Sequence, residues 1–280
     1  MFILLLASNL FEMADAAEEV SLEAPLSGMS TTSPPTAVQV GGDFDGENWD
    51  TWAGGHGGSG DAICISNQGS RVAVSFYGHG GGSPGFIRVY ERDTANTAVA
   101  PVGWTQIGAD LVGETSSDYF GFTVSCVGDL TKIAISSSRR MSLDPKGPGY
   151  VRVYELRSRT WVQLGGDIDD AYQVKLSANG KCVALGTFDY SAPQSQYIEV
   201  SHVRVLEWDA SNPATGWTQV GSTHSGGRYP RSMSLSEDCS RLALGDAYDL
   251  EGFCTDSSGE VRGNVRVFDR DSTTQGGWKR

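Results

Sequence analysis

No lysine or arginine precedes Arg71, while ten aspartates and glutamates do. Over the whole chain the formal net charge is -13. A surface so poor in cations repels a phosphate backbone, which excludes nucleic acid as a partner. Hydrophobic residues are only 39% of the total, low for a globular chain. No window shows a sustained helical period, and no apolar run is long enough to span a bilayer. No Asn-x-Ser/Thr sequon occurs, so glycosylation lends no support to secretion. Cysteine is sparse: Cys64, Cys126, Cys182, Cys239 and Cys254 leave at least one thiol unpaired, at spacings that fit neither a zinc site nor a CxxC redox pair. The amino terminus lacks the basic flank of a signal peptide. Phe2–Ala7 are apolar and Ala14-Asp15-Ala16 resembles a cleavage site, but Ser8-Asn9 breaks the apolar run. Residues 1–37 therefore read as a disordered leader or weak signal-like segment, ahead of a repeat domain at 38–280.

Glycine, by contrast, is plentiful, with 36 residues, which suits many short strands joined by tight turns. Self-similarity is the strongest signal. Four segments share one order of parts. The first is a Trp-x-Gln-h-Gly strand (h apolar): Trp104–Gly108, Trp161–Gly165 and Trp217–Gly221, with Val38–Gly41 as a version without the Trp. A second, alternating strand follows at 62–66, 122–126, 172–177 and 232–236. After a short turn comes a third at 71–75, 132–136, 181–186 and 241–245. A longer loop leads to a fourth: Ile87-Arg-Val-Tyr-Glu91, Val151-Arg-Val-Tyr-Glu155, Val203-Arg-Val-Leu-Glu207 and Val265-Arg-Val-Phe-Asp269. Four short strands per repeat make a propeller blade, so an all-β fold is predicted: a β-propeller of four recognisable four-stranded blades. Arg88, Arg152, Arg204 and Arg266 sit mid-strand, where stems can lie on apolar surface and heads pair with carboxylates. The domain opens on an outer-strand match at Val38–Gly41 and closes inside another at Trp278-Lys-Arg280. That pattern reads as an incomplete ring or a piece of a larger one, the alternative being a four-blade ring closed by residues 38–43.

Trp-x-Gln-h-Gly-x-Asp, Asp118-Tyr-Phe-Gly121, Ser-x-Asn-Gly and Val-Arg-Val-Tyr-Glu resemble the FG-GAP, integrin-α-like propeller repeats over about residues 38–280. Phe-Gly itself occurs once. The resemblance implies calcium held in Asp-rich hairpin loops. The matching turns here, Asn67–Ser70, Val127–Leu130, Ala178–Gly180 and Glu237–Ser240, carry too few spaced oxygens for a calcium cage, so that function is not carried over and no cofactor is expected, with calcium as the alternative. Trp208-Asp209 gives the WD repeat as a second family, which also implies four-stranded blades.

Chemistry-bearing motifs are thin. Gly78-His-Gly-Gly-Gly82 is similar to a lipase oxyanion loop, but no Gly-x-Ser-x-Gly elbow accompanies it. His56, His79, His202 and His224 do not fall at metal-ligand spacing. No Asp-box of the propeller glycosidases is present. The most acidic loop carries Asp246, Asp249, Glu251 and Asp256, a candidate for cation binding. Cys239 and Cys254 are predicted not to pair: they lie at opposite ends of a five-residue strand, roughly 17 Å apart.

In such blades the loops before the first strand and after the second share one face. Counting the 62–66-type strand as the first, those eight segments, 44–60, 109–119, 166–170 and 221–230 with 76–85, 137–149, 187–201 and 246–262, hold 17 acids and five bases, a net -12, whereas the rest of residues 38–280 nets +4. Variable loops on a fixed scaffold are where binding concentrates. The sequence thus points to a non-enzymatic binding or scaffold module. Its acidic loop face would take a cationic or metal-bridged partner, protein or glycan. A carbohydrate-active hydrolase or lyase is the alternative. A secreted or cell-surface location is expected, with the cytoplasm as the alternative.

Overall fold

The computed structural model describes residues 37–45, 51–53, 63–78, 84–116, 118–138, 149–188, 201–213, 216–225, 230–246, 263–274 and 277–280. The chain divides into Met1–Gln39 and Val40–Arg280, and every described strand belongs to the second part.

All described regular structure is strand. Blade 1 comprises β1 (Thr51–Ala53), β2 (Ile63–Ile65), β3 (Arg71–Gly78), β4 (Phe86–Arg92), β5 (Trp104–Gln106) and β6 (Leu111–Val112). Blade 2 comprises β7 (Val124–Cys126), β8 (Lys132–Ser136), β9 (Tyr150–Arg157), β10 (Thr160–Gln163) and β11 (Ile168–Asp169). Blade 3 comprises β12 (Gln173–Leu176), β13 (Cys182–Phe188), β14 (Ser201–Trp208) and β15 (Trp217–Ser225). Blade 4 comprises β16 (Pro230–Leu235), β17 (Arg241–Asp246), β18 (Asn264–Arg270) and β19 (Trp278–Lys279). Each blade is an antiparallel run of four strands in chain order. The Trp-bearing strand pairs with the Val-Arg-Val strand before it, so the blade in space is offset by one strand from the repeat as first read. The sequence did not anticipate β1, which extends β3, or the two-residue strands β6 and β11, which pair the upper ends of β4 and β9.

Among the described residues, blade 1 packs face to face on blade 2, blade 2 on blade 3 and blade 3 on blade 4. Strand alternation makes this possible. In β9, Tyr150 and Tyr154 enter the cluster shared with blade 1, while Val151 and Val153 enter the cluster shared with blade 3. A third cluster joins Cys182, Ala184, Val203 and Val205 to Met233, Leu242 and Leu244 between blades 3 and 4. Because both faces are buried, both residue parities are apolar; on the face away from blade 2, blade 1 carries a cluster of its own, Val72, Val74, Phe76, Phe86, Tyr90 and Trp104, with Phe44 packed against it. First strands β2, β7, β12 and β16 lie beside one another in that order and form the inner edge. Two disulfides cross junctions: Cys64–Cys126 between blades 1 and 2, and Cys182–Cys239 between blades 3 and 4, with Cα separations of 6.3 and 6.1 Å. Cys239 is thus paired with Cys182; Cys254, predicted not to pair with it, lies outside the described residues.

The recurring Trp is an inter-blade latch. The indole Nε1 donates to the carbonyl just before the glycine of the preceding outer strand. Trp161 bonds Ile107 O at 3.0 Å, Trp217 bonds Leu164 O at 2.8 Å and Trp278 bonds Val220 O at 3.0 Å. Trp104 bonds Val40 O at 3.2 Å, so Val40-Gly41 stand where the outer strand of a preceding blade would end. The glycine is required twice over. Gly108 has φ +73°, and a Cβ there would lie 2.8 Å from Trp161 Cδ1. Turns between first and second strands also repeat one device: Ser66, Ser177 and Ser236 accept the amides of Arg71, Cys182 and Arg241.

Candidate functional site

Two faces compete for a functional role. On the long-loop face, the described acids are largely tied into the scaffold. Arg88 makes a bidentate pair with Asp110, both bonds 2.9 Å, and Gln106 adds a third bond at 2.8 Å. Arg152 repeats this with Asp167 at 2.7 and 2.8 Å, joined by Gln163, and also pairs with Glu114. Both guanidiniums lie over rings, Arg88 4.8 Å from the Phe86 centroid and Arg152 4.7 Å from that of Tyr150. Burial opposes ionisation of Asp110 and Asp167, but hydrogen bonds from the arginine and glutamine outweigh it, and both carboxyls are held below the usual range. Thus Gln-h-Gly-x-Asp is the receptor for the mid-strand arginine. Blade 3 departs from it: Gln219-Val-Gly-Ser-Thr223 offers a hydroxyl in place of the carboxylate. Arg204 accordingly donates to the Asp169 carbonyl, and its Nε has no partner among the described residues. The expected pairing with a carboxylate therefore holds for Arg88 and Arg152 and fails for Arg204. Arg266 is buried in blade 4.

Asp118 is a fully buried carboxylate on the same face. It accepts the amides of Glu114 and Thr115 at 2.7 and 2.9 Å, the Thr115 hydroxyl at 2.7 Å and the Tyr150 hydroxyl at 2.9 Å. Burial and the Asp118 bond push the Tyr150 phenol far up, so it stays a donor at any ordinary pH. The Asp118-Tyr-Phe-Gly121 phrase is therefore a loop lock: Asp118 closes the 114–118 turn, and Phe120 plugs the cluster between blades 1 and 2.

On the opposite, short-turn face lies a cleft of about 320 Å³ across the turns of blades 1 to 3. Asn67, Gln68, Gly128, Asp129, Lys132 and Asn179 line it. Asn67 N donates to Gly128 O at 2.6 Å, tying the first two turns together. Lys132 pairs with Glu155 at 3.5 Å. The Thr131 hydroxyl is the chief cause that keeps Asp129 acidic. Nothing in the sequence marked this cleft, because its lining comes from three turns far apart in the chain, around Asn67, Asp129 and Asn179, that look alike and carry no motif.

Of the acids singled out from sequence, Asp246 ends β17 in register with Asn264. Asp249, Glu251 and Asp256 lie outside the described residues, as do His56 and His79. His202 sits in β14 opposite Thr187 and Ser225. His224 packs on Phe268 and Trp278, with ring centroids 4.4 and 5.7 Å away. Among the described residues, no group of three or more His, Cys, Asp or Glu side chains gathers as a metal site would require.

No protein-family model matches the chain, and no curated protein matches it. Solved structures do resemble it. A Bacteroides uniformis protein assigned as a 6-phosphogluconolactonase is 13% identical, with 78% of this chain and 52% of that one covered, at a TM-score of 0.47. TolB from Acinetobacter baumannii is 12% identical, with 76% and 41% covered, at 0.38. The tricorn protease is 11% identical, with 74% and 17% covered, at 0.42. The chain spans about half of the first of these and less of the others. What those proteins do is a statement about them.

Proposed function

We propose that this chain is a non-enzymatic binding or scaffold module of the β-propeller type, related to the FG-GAP, integrin-α-like repeats and operating outside the cytoplasm. The observation that supports a binding role over catalysis is the state of the described carboxylates. Asp110, Asp118 and Asp167 each spend their oxygens on fixed donors. Those with shifted acidity are moved downward, towards permanent charge, not upward towards a proton donor. They act as struts, which leaves the acidic loop bearing Asp246, Asp249, Glu251 and Asp256, singled out from its sequence, as the candidate for binding a cation. Two inter-blade disulfides favour an oxidising compartment.

The partner class is a cationic protein segment, or a ligand bridged by a metal such as calcium. Titration calorimetry with an oligolysine peptide, and separately with Ca²⁺, tests this at low and high salt. Combined D246N, D249N and E251Q substitutions are expected to weaken binding at least tenfold, as is salt that shortens the Debye length to below ~8 Å. Binding of either probe that ignores both changes, or no binding of either, refutes the acidic-face reading.

A further inference from the structure

In blades 1 to 3 an arginine sits at the same place in the Val-Arg-Val strand, and backbone register fixes what stands beside it. Leu111 pairs with Ile87, Ile168 with Val151 and His224 with Val203. The residues just before them, Asp110, Asp167 and Thr223, therefore hold equivalent positions next to Arg88, Arg152 and Arg204. The glutamines are equivalent too: Gln106, Gln163 and Gln219 pair with Tyr90, Tyr154 and Leu206. In blades 1 and 2 the aspartate accepts bonds from the arginine Nε and Nη2 and from the glutamine amide.

Blade 3 keeps these donors without the acceptor. Gln219 Nε2 donates to Gly221 O at 3.1 Å, as Gln106 Nε2 does to Gly108 O at 3.1 Å, so the amide is held in the same pose. Arg204 turns its Nη2 to Asp169 O, the counterpart of the Val112 carbonyl that Arg152 Nη1 reaches at 3.3 Å. A second carboxylate is replaced as well. Glu114, three residues after Leu111, pairs with Arg152, whereas the buried Ala171 stands three residues after Ile168. Among the described residues Arg204 has no ion pair, and its Nε is screened from water with no acceptor. A guanidinium keeps its charge and has more donors than one carbonyl can use. Thr223 and Gln219 are exposed, so the position is open to solvent.

We propose that Arg204, Gln219 and Thr223 form a seat for the carboxylate of a small organic acid taken from solution. The planar group accepts a pair of N–H bonds from the Arg204 fork and a bond from the Gln219 amide, as Asp110 and Asp167 do in the two preceding blades. The Thr223 hydroxyl adds a further donor. The inference is separate from the cation-binding reading above, which turns on Asp246, Asp249 and Glu251.

Arginine Nε–H resonances of the isotope-labelled full chain test it. The probe is sodium acetate, titrated against sodium chloride at constant ionic strength, with sodium sulfate as a second arm. Arg204→Lys assigns the Arg204 signal by removing it. That signal should move saturably with acetate, with a Kd of about 1–10 mM. The signals of Arg88 and Arg152, already bonded to carboxylates, should stay fixed. Thr223→Asp supplies the carboxylate from within the chain. It should carry the Arg204 signal towards those of Arg88 and Arg152 and weaken acetate binding about tenfold or more. A dispersed Arg204 signal in that variant shows its blade to be folded. If the variant fails to fold, the wild-type titration decides alone, with Arg88 and Arg152 as internal references. No saturable movement of the Arg204 signal, equal affinity for sulfate, or acetate binding that survives Thr223→Asp would overturn the proposal.

Discussion

Replacing Arg152 with Ala should destabilise the domain by about 2–3 kcal/mol, and the same change at Arg204 by about 1 kcal/mol or less. Arg152 makes two short bonds to Asp167 and a further pair with Glu114, with its side chain 13% exposed and that of Asp167 27%. Hydrogen bonds to charged groups contribute roughly 1.5–3 kcal/mol each when buried, and partial solvent access reduces the sum. Truncation would leave Asp167 half-buried with Gln163 alone, and would uncover the Tyr150 and Phe120 rings. Arg204 has the same strand position but no carboxylate, so its loss costs mainly stem packing. Urea melts of the two variants make the comparison, and for a domain of this size the Arg152 loss corresponds to a melting shift of about 5–10 °C. The acid dependence follows from the depressed carboxyl of Asp167. A folded-state value below the unfolded one contributes stability that is present above the unfolded value of about 3.9 and lost as pH falls through the folded one. The gap between wild type and R152A should therefore be full at pH 7 and shrink below pH 4. Equal costs at Arg152 and Arg204, or a gap that persists at pH 2, would show that the arginines act through packing and not through their carboxylates.

Thr223→Asp should restore the missing receptor for Arg204 and stabilise the domain by about 0.5–1 kcal/mol in the same melts, a gain that Arg204→Ala abolishes. Burial, and then the charge of Arg266, hold the pKa of His224 below its usual value, favouring the neutral ring. A histidine depressed in the folded state favours folding above the unfolded value of about 6.5 and costs stability as pH falls below it. The melting temperature of wild type should thus drop between pH 7.5 and 5.5 by more than that of His224→Gln. Peptide mapping without reduction should recover Cys64 linked to Cys126 and Cys182 linked to Cys239, and should recover no peptide linking Cys239 to Cys254. Replacing Cys182 and Cys239 by Ser opens a loop closed over a separation of 57 residues, and the chain-entropy account puts the loss at about 4 kcal/mol.

The sixteen principal strands were legible because each repeats a period-two pattern with fixed turn residues, but Val38–Gly41, read as a further outer strand, is described and is not a strand, since it has no neighbouring strand among the described residues to pair with. The Val-Arg-Val-Tyr-Glu runs span Phe86–Arg92 and Tyr150–Arg157 much as their composition suggests. Leu111–Val112 and Ile168–Asp169 were not, since two residues carry no period. Trp161 stood out as a recurrence, but its partner Ile107 is a backbone carbonyl, which sequence does not advertise. The sequence shows Asp118 only within the Asp-Tyr-Phe-Gly phrase, because its four donors converge only once the loop is folded. Conversely, Thr223 in place of an aspartate was visible all along, and it becomes meaningful only when Asp110 and Asp167 are seen to hold arginines. The cysteine pairings follow from neighbouring blades, a relation that spacing along the chain does not encode.

Each Trp latch ties a blade to the one immediately before it and to no other. Such a chain of nearest-neighbour links behaves like a zipper with two open ends. Thermal fluctuation should unpick it from an end, one blade at a time, with blades 2 and 3 held from both sides. Amide exchange would then be slowest in β8, β9 and β13 and fastest in β18 and β19, a gradient set by a blade's place in the row more than by its own sequence. A lesion at Trp217 would loosen the junction between blades 2 and 3, which neither described disulfide crosses, whereas one at Trp278 would leave blade 4 tied to blade 3 by Cys182–Cys239.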